Sequence, residues 1–248
     1  MNLSKQNLSH INAAVIKPAE TIFLLPEKVL QFGTGVLLRG LPDYYIDAAN
    51  RQGIFNGRVV VIKSTGGGEK DHFDEQDNLY TIHTRGINSN EEKPVICAAI
   101  SRVLHAKTQW QEIIETARQP ALQVIISNTT EVGIQLVKEK IDAGSPESFP
   151  AKLLAFLYER YSAFDGSTES GMIILPTELL TDNGKKLAAI LNELSEWNNL
   201  DQRFINWLNT ANKFCNTLVD RIVPGKPGEA EKIKLETCNC ATSSKNCF

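Results

Sequence analysis

Four short, mostly apolar runs punctuate the chain, at Val29–Phe32, Val59–Ile62, Leu122–Ile126 and Met172–Leu175. Runs of this length without strict alternation suit strands covered on both faces of a parallel sheet. Between them the apolar residues recur at helical spacing. Leu41–Asn50 places Leu41, Tyr45 and Ala48 on one stripe, with Pro42 in the first turn and Gly53 just past the end. Trp110, Ile113, Ile114 and Ala117 form a second stripe, for which Thr108 is the expected cap. Leu153, Leu154, Leu157, Tyr158 and Tyr161 form a third, and Leu187, Ile190, Leu191, Leu194 and Trp197 a fourth. Strands alternating with helices predict an α/β fold, a Rossmann-like, doubly wound and mostly parallel sheet.

The alternation is interrupted once. Leu79–Arg85 and Val95–Leu104 both read as extended and flank the turn-rich Gly86–Lys93 segment, which predicts a hairpin insertion. From Gly228 onward aromatic and β-branched residues thin out, so the expected organisation is a domain over 1–227 and an irregular or disordered tail over 228–248.

Composition narrows the partners. The 248 residues are 42% hydrophobic and 22% charged with a formal net charge of -3, an ordinary globular composition without the field that gathers nucleic acid or an anionic membrane. Residues 1–20 lack the basic start and apolar run of a secretory signal, and no stretch is long enough to span a bilayer, so a cytoplasmic location is expected. Of five cysteines, Cys97 and Cys215 lie among apolar residues, while Cys238, Cys240 and Cys247 crowd the end in a spacing that matches neither a disulfide framework nor a zinc site. No metal is expected.

The chemistry-bearing signal begins where the first strand ends. Val29–Phe32 runs into Gly33-Thr34-Gly35 and then Val36-Leu37-Leu38-Arg39-Gly40. In a dinucleotide fold the first glycine allows the tight turn and the second lets backbone amides approach a pyrophosphate at a helix start. The third glycine of the usual fingerprint falls two places late here, at Gly40. Gly33, Thr34, Gly35 and Val36 are therefore candidate cofactor residues. Arg39 reads either as a phosphate partner or as a solvated surface cation.

After the second strand, where a carboxylate would take the ribose hydroxyls, the chain has Lys63-Ser64-Thr65, three glycines and only then Glu69. Lys63 favours a 2′-phosphate and Ser64 free hydroxyls, so the residues leave NAD and NADP open. The next candidate cluster is Ser127-Asn128-Thr129-Thr130-Glu131, at the carboxyl edge of the sheet, where such folds bind ligands. Asn128 and Thr129 either line the cofactor or form a turn that caps a helix from Val132.

Three segments together resemble the long-chain mannitol dehydrogenase family, and within it a branch acting on sugar acids. They are LQFGTGVLLRGLPDYYIDAANRQGIFNGRVVVIKST, FDEQDNLYTIHTRG and FCNTLVDRIVPG, and the similarity runs from about Glu27 to Gly225. The resemblance implies a nicotinamide-dependent oxidoreductase acting on a small sugar acid, with NAD as its cofactor. It places Asn216 on the family's active-site asparagine, which helps hold the developing alkoxide of the substrate. TELLTDNG is similar to the family's polar loop after the fifth strand, so Glu178, Asn183 and Gly184 are expected to border the substrate or nicotinamide. Asp220 is a further substrate candidate, and an Asp220–Arg221 ion pair is the alternative reading, fixing the loop. Members of the family continue into a mainly helical domain that supplies a catalytic lysine. Neither Lys226 nor Lys232 carries that motif, so the chain by itself is expected to bind nucleotide but not to turn over substrate. Within the family, a different sugar-acid reductase or a mannitol-type polyol dehydrogenase is the alternative. Outside it, the alternative is a non-catalytic dinucleotide-binding module. Oligomeric state is not legible.

Overall fold

A computed structural model describes residues 3–64, 73–84, 93–129 and 133–225. Six strands form one parallel sheet. In chain order its members are β1 (Glu27–Phe32), β2 (Arg58–Lys63), β5 (Ile100–His105), β6 (Val124–Ser127), β7 (Ile173–Pro176) and β8 (Lys213–Phe214), and they lie side by side as β5-β2-β1-β6-β7-β8. The chain starts in the middle, winds to one edge and returns to build the other half outward from β1. That reversal leaves a crevice between β1 and β6, at the carboxyl ends of the strands. A short antiparallel pair, β3 (Tyr80–Ile82) with β4 (Val95–Cys97), is inserted between β2 and β5.

β1 shows how the sheet is buried on both faces. Leu30 and Phe32 enter a core with helices α3 (Trp110–Thr116), α4 (Phe149–Ala163), α5 (Asn183–Trp197) and α6 (Gln202–Thr210). Val29 points the other way, into a second core with Leu38, Phe73, Tyr80 and Cys97. That second face carries the helices after the glycine loop, α1 (Val36–Gly40) and α2 (Pro42–Arg51), together with the hairpin. The N-terminal arm closes the outside through Leu3, Ile11, Val15 and Ile22, which pack on Leu79 and Ile96.

Four expectations are corrected. Val95–Leu104 is not one hairpin arm, because only Val95–Cys97 pairs with β3, while Ile100–His105 joins the main sheet beside β2. The small Ala98 and Ala99 let the backbone turn between two sheets, where the Ala98 amide donates to Asp47 Oδ1 at 2.9 Å. The stripe assigned to Leu41–Asn50 is also displaced: Tyr45 is 55% exposed, and the fully inward positions of α2 are Asp43, Asp47 and Asn50. Thr108 does not cap α3, since Gln109 holds that position with no side-chain cap bond. No helix follows residue 132 directly; the described chain over 133–148 is irregular until α4.

The predicted tail over 228–248, with Cys238, Cys240 and Cys247, lies outside the described residues, as do most of Gly86–Lys93, the three glycines of 66–68 and Glu69. Among the described residues Cys97 is a buried free thiol and Cys215 a partly exposed one. No group of residues there could hold a metal ion, and no helix is long and apolar enough to cross a membrane.

Candidate functional site: a nucleotide cradle at the strand ends

The turn after β1 requires its first glycine. Gly33 has φ +120°, a conformation side chains rarely adopt, and a Cβ there would stand 3.0 Å from the Asn128 carbonyl oxygen and 3.1 Å from Leu38 Cδ1. Its amide donates to the Ile62 carbonyl at 3.0 Å, which continues the β1–β2 ladder into the turn. Gly35 is different. Its φ of -61° suits any residue, and a Cβ there would meet nothing nearer than Asn128 Oδ1 at 4.0 Å. Among the described residues neither backbone nor packing asks for glycine at that place, directly before the first amides of α1. Gly40 has another use: a Cβ would collide with Val223 at 2.9 Å, so it admits the segment that follows β8.

Across the crevice, the loop after β6 is held by β7. Glu178 is 3% exposed; its Oε1 accepts from the Thr129 amide and hydroxyl at 2.9 Å each, and its Oε2 accepts from the Ser127 hydroxyl at 3.1 Å. Asn128 Nδ2 donates to the Thr177 carbonyl at 3.0 Å, and the Thr177 hydroxyl donates to the Ser127 carbonyl at 2.7 Å. Asn128 and Thr129 thus bond across to the next strand and do not cap a helix. Asn128 stands beside both Gly33 and Gly35, so the two loops form one cradle.

Arg39 is not the solvated cation of one sequence reading. It is 6% exposed, with its guanidinium 5.3 Å above the Phe73 ring. Ser64 and Lys63 stand half-buried at the end of β2.

A second cluster lies at the edge made by β7, β8 and α5. Asn183 is fully buried at the start of α5, and its amide is spent inside the protein. The two Nδ2 hydrogens are shared among the carbonyls of Pro176, Glu178 and Thr217 and the Thr217 hydroxyl, all within 3.2 Å, while Oδ1 accepts from the amides of Gly184 and Thr217. It ties the loop after β7 to the segment after β8. Gly184 lets the helix start press on that segment, since a Cβ would lie 2.5 Å from the Cys215 carbonyl oxygen. Asn216, exposed beside it, donates through Nδ2 to Asp182 Oδ1 at 3.0 Å and accepts the Lys185 amide at 3.1 Å. Those two bonds fix the rotamer and the amide orientation. The second Nδ2 hydrogen is uncommitted among the described residues.

The residues after Thr217 run back over α2. Arg221 does not pair with Asp220; its guanidinium lies 5.3 Å from the Tyr44 ring and 5.5 Å from that of Tyr45, and it donates to the Tyr45 hydroxyl at 3.2 Å. Cation–π contact with two rings anchors the segment and leaves Asp220 at the surface. Leu218 and Ile222 project outward, 95% and 90% exposed.

Sequence reasoning missed the polar residues buried behind the glycine loop. Gln31, Asp43, Asp47 and Arg58 are each no more than 4% exposed. Gln31 sits inside an apolar strand run, a visible irregularity, whereas Asp43 reads as an ordinary acidic residue of a first helical turn.

A parallel sheet wound from its centre, with a glycine turn after its first strand and a polar loop after its fourth, defines a protein of the dinucleotide-binding class. The profile of the mannitol dehydrogenase Rossmann domain matches residues 27–240, and the chain belongs to that family. The altronate oxidoreductase of Halalkalibacterium halodurans is 44% identical over 209 residues, 83% of this chain and 41% of the relative. That of Bacillus subtilis is 41% identical over 82% of this chain and 43% of the relative. The chain therefore spans about two-fifths of the length of these curated relatives. Among solved structures, the ternary complex of Pseudomonas fluorescens mannitol 2-dehydrogenase with NAD and D-mannitol superposes with a TM-score of 0.85 at 21% identity, covering 100% of this chain and 52% of the other. A D-sorbitol dehydrogenase gives 0.82 at 18% identity, with the same coverage. Both show the same fold.

Proposed function

We propose that this chain is the nucleotide-binding half of an NAD-dependent oxidoreductase that interconverts tagaturonate and altronate, a step of hexuronate catabolism. The observation that carries the nucleotide assignment is Gly35: a glycine that neither its own φ nor packing among the described residues requires, set before the amides of α1 and facing Asn128 across the crevice. Such a cradle fits a pyrophosphate, with Gly33, Thr34, Gly35 and Val36 supplying backbone and Asn128 and Thr129 the facing wall. Ser64, directly after β2, would meet ribose hydroxyls in this reading. The mannitol 2-dehydrogenase of the same fold binds NAD, which supports NAD over NADP. The two altronate oxidoreductases at 41% and 44% identity support the sugar-acid substrate.

When bound, the nicotinamide exchanges hydride with the carbon that alternates between ketone and alcohol. The chain's own contribution is to hold that carbon's oxygen. Asn216 offers a neutral N–H, oriented in advance by Asp182 and the Lys185 amide, and such a donor stabilises a forming alkoxide without reorganising. Asn183 acts one step back, fixing the 216–217 backbone against β7, and Glu178 does the same for the loop after β6. The general acid/base belongs to the second domain expected of the family. We place that domain against the exposed Leu218 and Ile222.

Titration of NADH fluorescence tests the assignment. The chain is expected to bind NADH, and Gly35→Asp, which fits the free fold but puts a carboxylate where the pyrophosphate belongs, is expected to abolish binding while thermal stability stays close to that of the wild type. Undiminished affinity in Gly35→Asp refutes the cradle.

A further inference from the structure

Behind the glycine loop lies a closed polar cluster built around a buried carboxyl group. Asp43 and Gln31 are both fully buried. Gln31 Nε2 donates to the Gly33 carbonyl at 3.3 Å and to Asp43 Oδ2 at 3.4 Å, so one side-chain amide joins the loop to the carboxyl group. The Tyr80 hydroxyl stands within reach of Asp43 Oδ2 at 3.4 Å, the Arg39 carbonyl of α1 at 3.2 Å and the Cys97 sulfur, and has a single proton to give. Asp43 Oδ1 and Gln31 Oε1 have no hydrogen-bond partner among the described residues. Protonating Asp43 removes the cost of burying a carboxylate one of whose oxygens has no donor among the described residues.

The charges around Asp43 come from every element packed on it. Arg39 of α1 attracts its negative charge. Asp47, one turn along α2, bears on the same cluster, although it is bridged to Arg51 at 2.6 Å. Tyr80 of β3 and Cys97 of β4 are buried and held neutral, their acidities suppressed by desolvation. The Cys97 thiol donates to the Asp43 backbone carbonyl at 3.6 Å. Burial outweighs the attraction of Gln31, Arg39 and Tyr80 and lifts the Asp43 carboxyl to about 7.

We propose that Asp43 is a positioning residue for the nucleotide loop, acting through Gln31 and Tyr80, and that dinucleotide binding is coupled to uptake of a proton on its carboxyl group. The inference rests on the nucleotide reading of the Gly33–Gly35 cradle. Two negative phosphates brought to the front of the loop repel a carboxylate buried behind it, so the complex favours the neutral acid. The proton comes from solvent. Once Asp43 carries it, the Tyr80 proton is released to the Arg39 carbonyl, and Gln31 remains on Gly33. By linkage, whatever raises proton affinity on binding makes nucleotide affinity fall as pH rises.

Calorimetric titration with NADH in buffers of different ionisation enthalpy, from pH 6.5 to 9, reads the coupling directly. The wild type is expected to take up a fraction of one proton near neutrality and to bind NADH on the order of fivefold more weakly at pH 9 than at pH 6.5. Asp43→Asn, permanently neutral, is expected to show neither effect and to bind at pH 9 about as well as the wild type at pH 6.5. Tyr80→Phe keeps the carboxyl group and removes a donor to its ionised form, so its uptake should persist with the midpoint moved upward. Binding without proton uptake in the wild type, or an unchanged pH profile in Asp43→Asn, overturns this inference while the nucleotide assignment stands. Absence of NADH binding at every pH overturns both.

Discussion

Glu178 accepts hydrogen bonds from both the backbone amide and the hydroxyl of Thr129, each at 2.9 Å, and so fastens the loop after β6 to the strand beside it. Hydrogen bonds to a buried charged acceptor contribute about 1.5–3 kcal/mol, and truncation leaves the donors of Ser127 and Thr129 without their acceptor. Glu178→Ala is therefore expected to lower unfolding stability by about 2–3 kcal/mol in urea titrations. NADH affinity should fall with it, because Asn128 is held by the same loop. Loss of stability without loss of affinity would separate this loop from the nucleotide site.

The two glycines of the cradle predict opposite phenotypes. Gly33→Ala forces a side chain into φ +120° and against the Asn128 carbonyl, and is expected to destabilise the fold by about 1–3 kcal/mol. Gly35→Ala meets no atom of the described residues nearer than 4.0 Å, so thermal unfolding should be nearly unchanged while NADH affinity drops about tenfold or more. Equal destabilisation by both substitutions would mean that Gly35 has a structural task.

Asp43 also predicts a pH dependence of stability in the ligand-free protein. Its carboxyl group is raised from 3.8 to about 7 by burial, so the folded state binds the proton more tightly than the unfolded chain does. The associated stability is fully present below pH 3.8 and is lost as pH rises through about 7. The whole span is on the order of 4 kcal/mol, of which about 2–3 kcal/mol falls between pH 5 and pH 8, and Asp43→Asn should remove that part from the stability difference between those two pH values. Parallel profiles for the two proteins would contradict this.

Much of the fold is legible in the residue pattern, for a physical reason. Strands buried on both faces are apolar at nearly every position, and Val29–Phe32 and Val59–Ile62 advertise themselves within a residue or two of β1 and β2. β8 is two residues long and carries no such signal. The hairpin boundary failed because Val95–Leu104 has one continuous extended pattern, and only the strand pairing, with Ala98 held by Asp47 between the two sheets, shows where it changes. The α2 stripe failed because its inward face is polar: Asp43, Asp47 and Asn50 are buried by partners distant in sequence, which periodicity cannot register. The same limit applies to Arg160, whose guanidinium is buried in α4 and donates to the carbonyls of Ala117, Gln119, Leu122 and Ser170. At the site, Gly33, Gly35 and Asn128 were readable as a set because each follows a strand at the same sheet edge. That Asn183 serves as an internal tie is visible only in its six hydrogen bonds.

Asn216 has its orientation fixed before any substrate arrives, by Asp182 on one side and the Lys185 amide on the other. In the active enzyme proposed above, Asn216→Ala is expected to cut turnover about a hundredfold with NADH affinity nearly unchanged. Asp182→Ala frees the amide to rotate and should give a smaller loss in the same direction. Stopped-flow measurement of NADH oxidation with tagaturonate distinguishes the two. Wild-type turnover in Asn216→Ala would remove this residue from the reaction.

The central claim, a dinucleotide seated between the turn after β1 and the loop after β6, is tested most directly by amide chemical-shift changes in the isotopically labelled chain titrated with NADH. The largest changes are expected at Gly33, Thr34, Gly35, Val36, Asn128 and Thr129, with the amides of α6 unmoved. Binding whose shifts fall elsewhere and leave the Gly33–Val36 amides in place would contradict it.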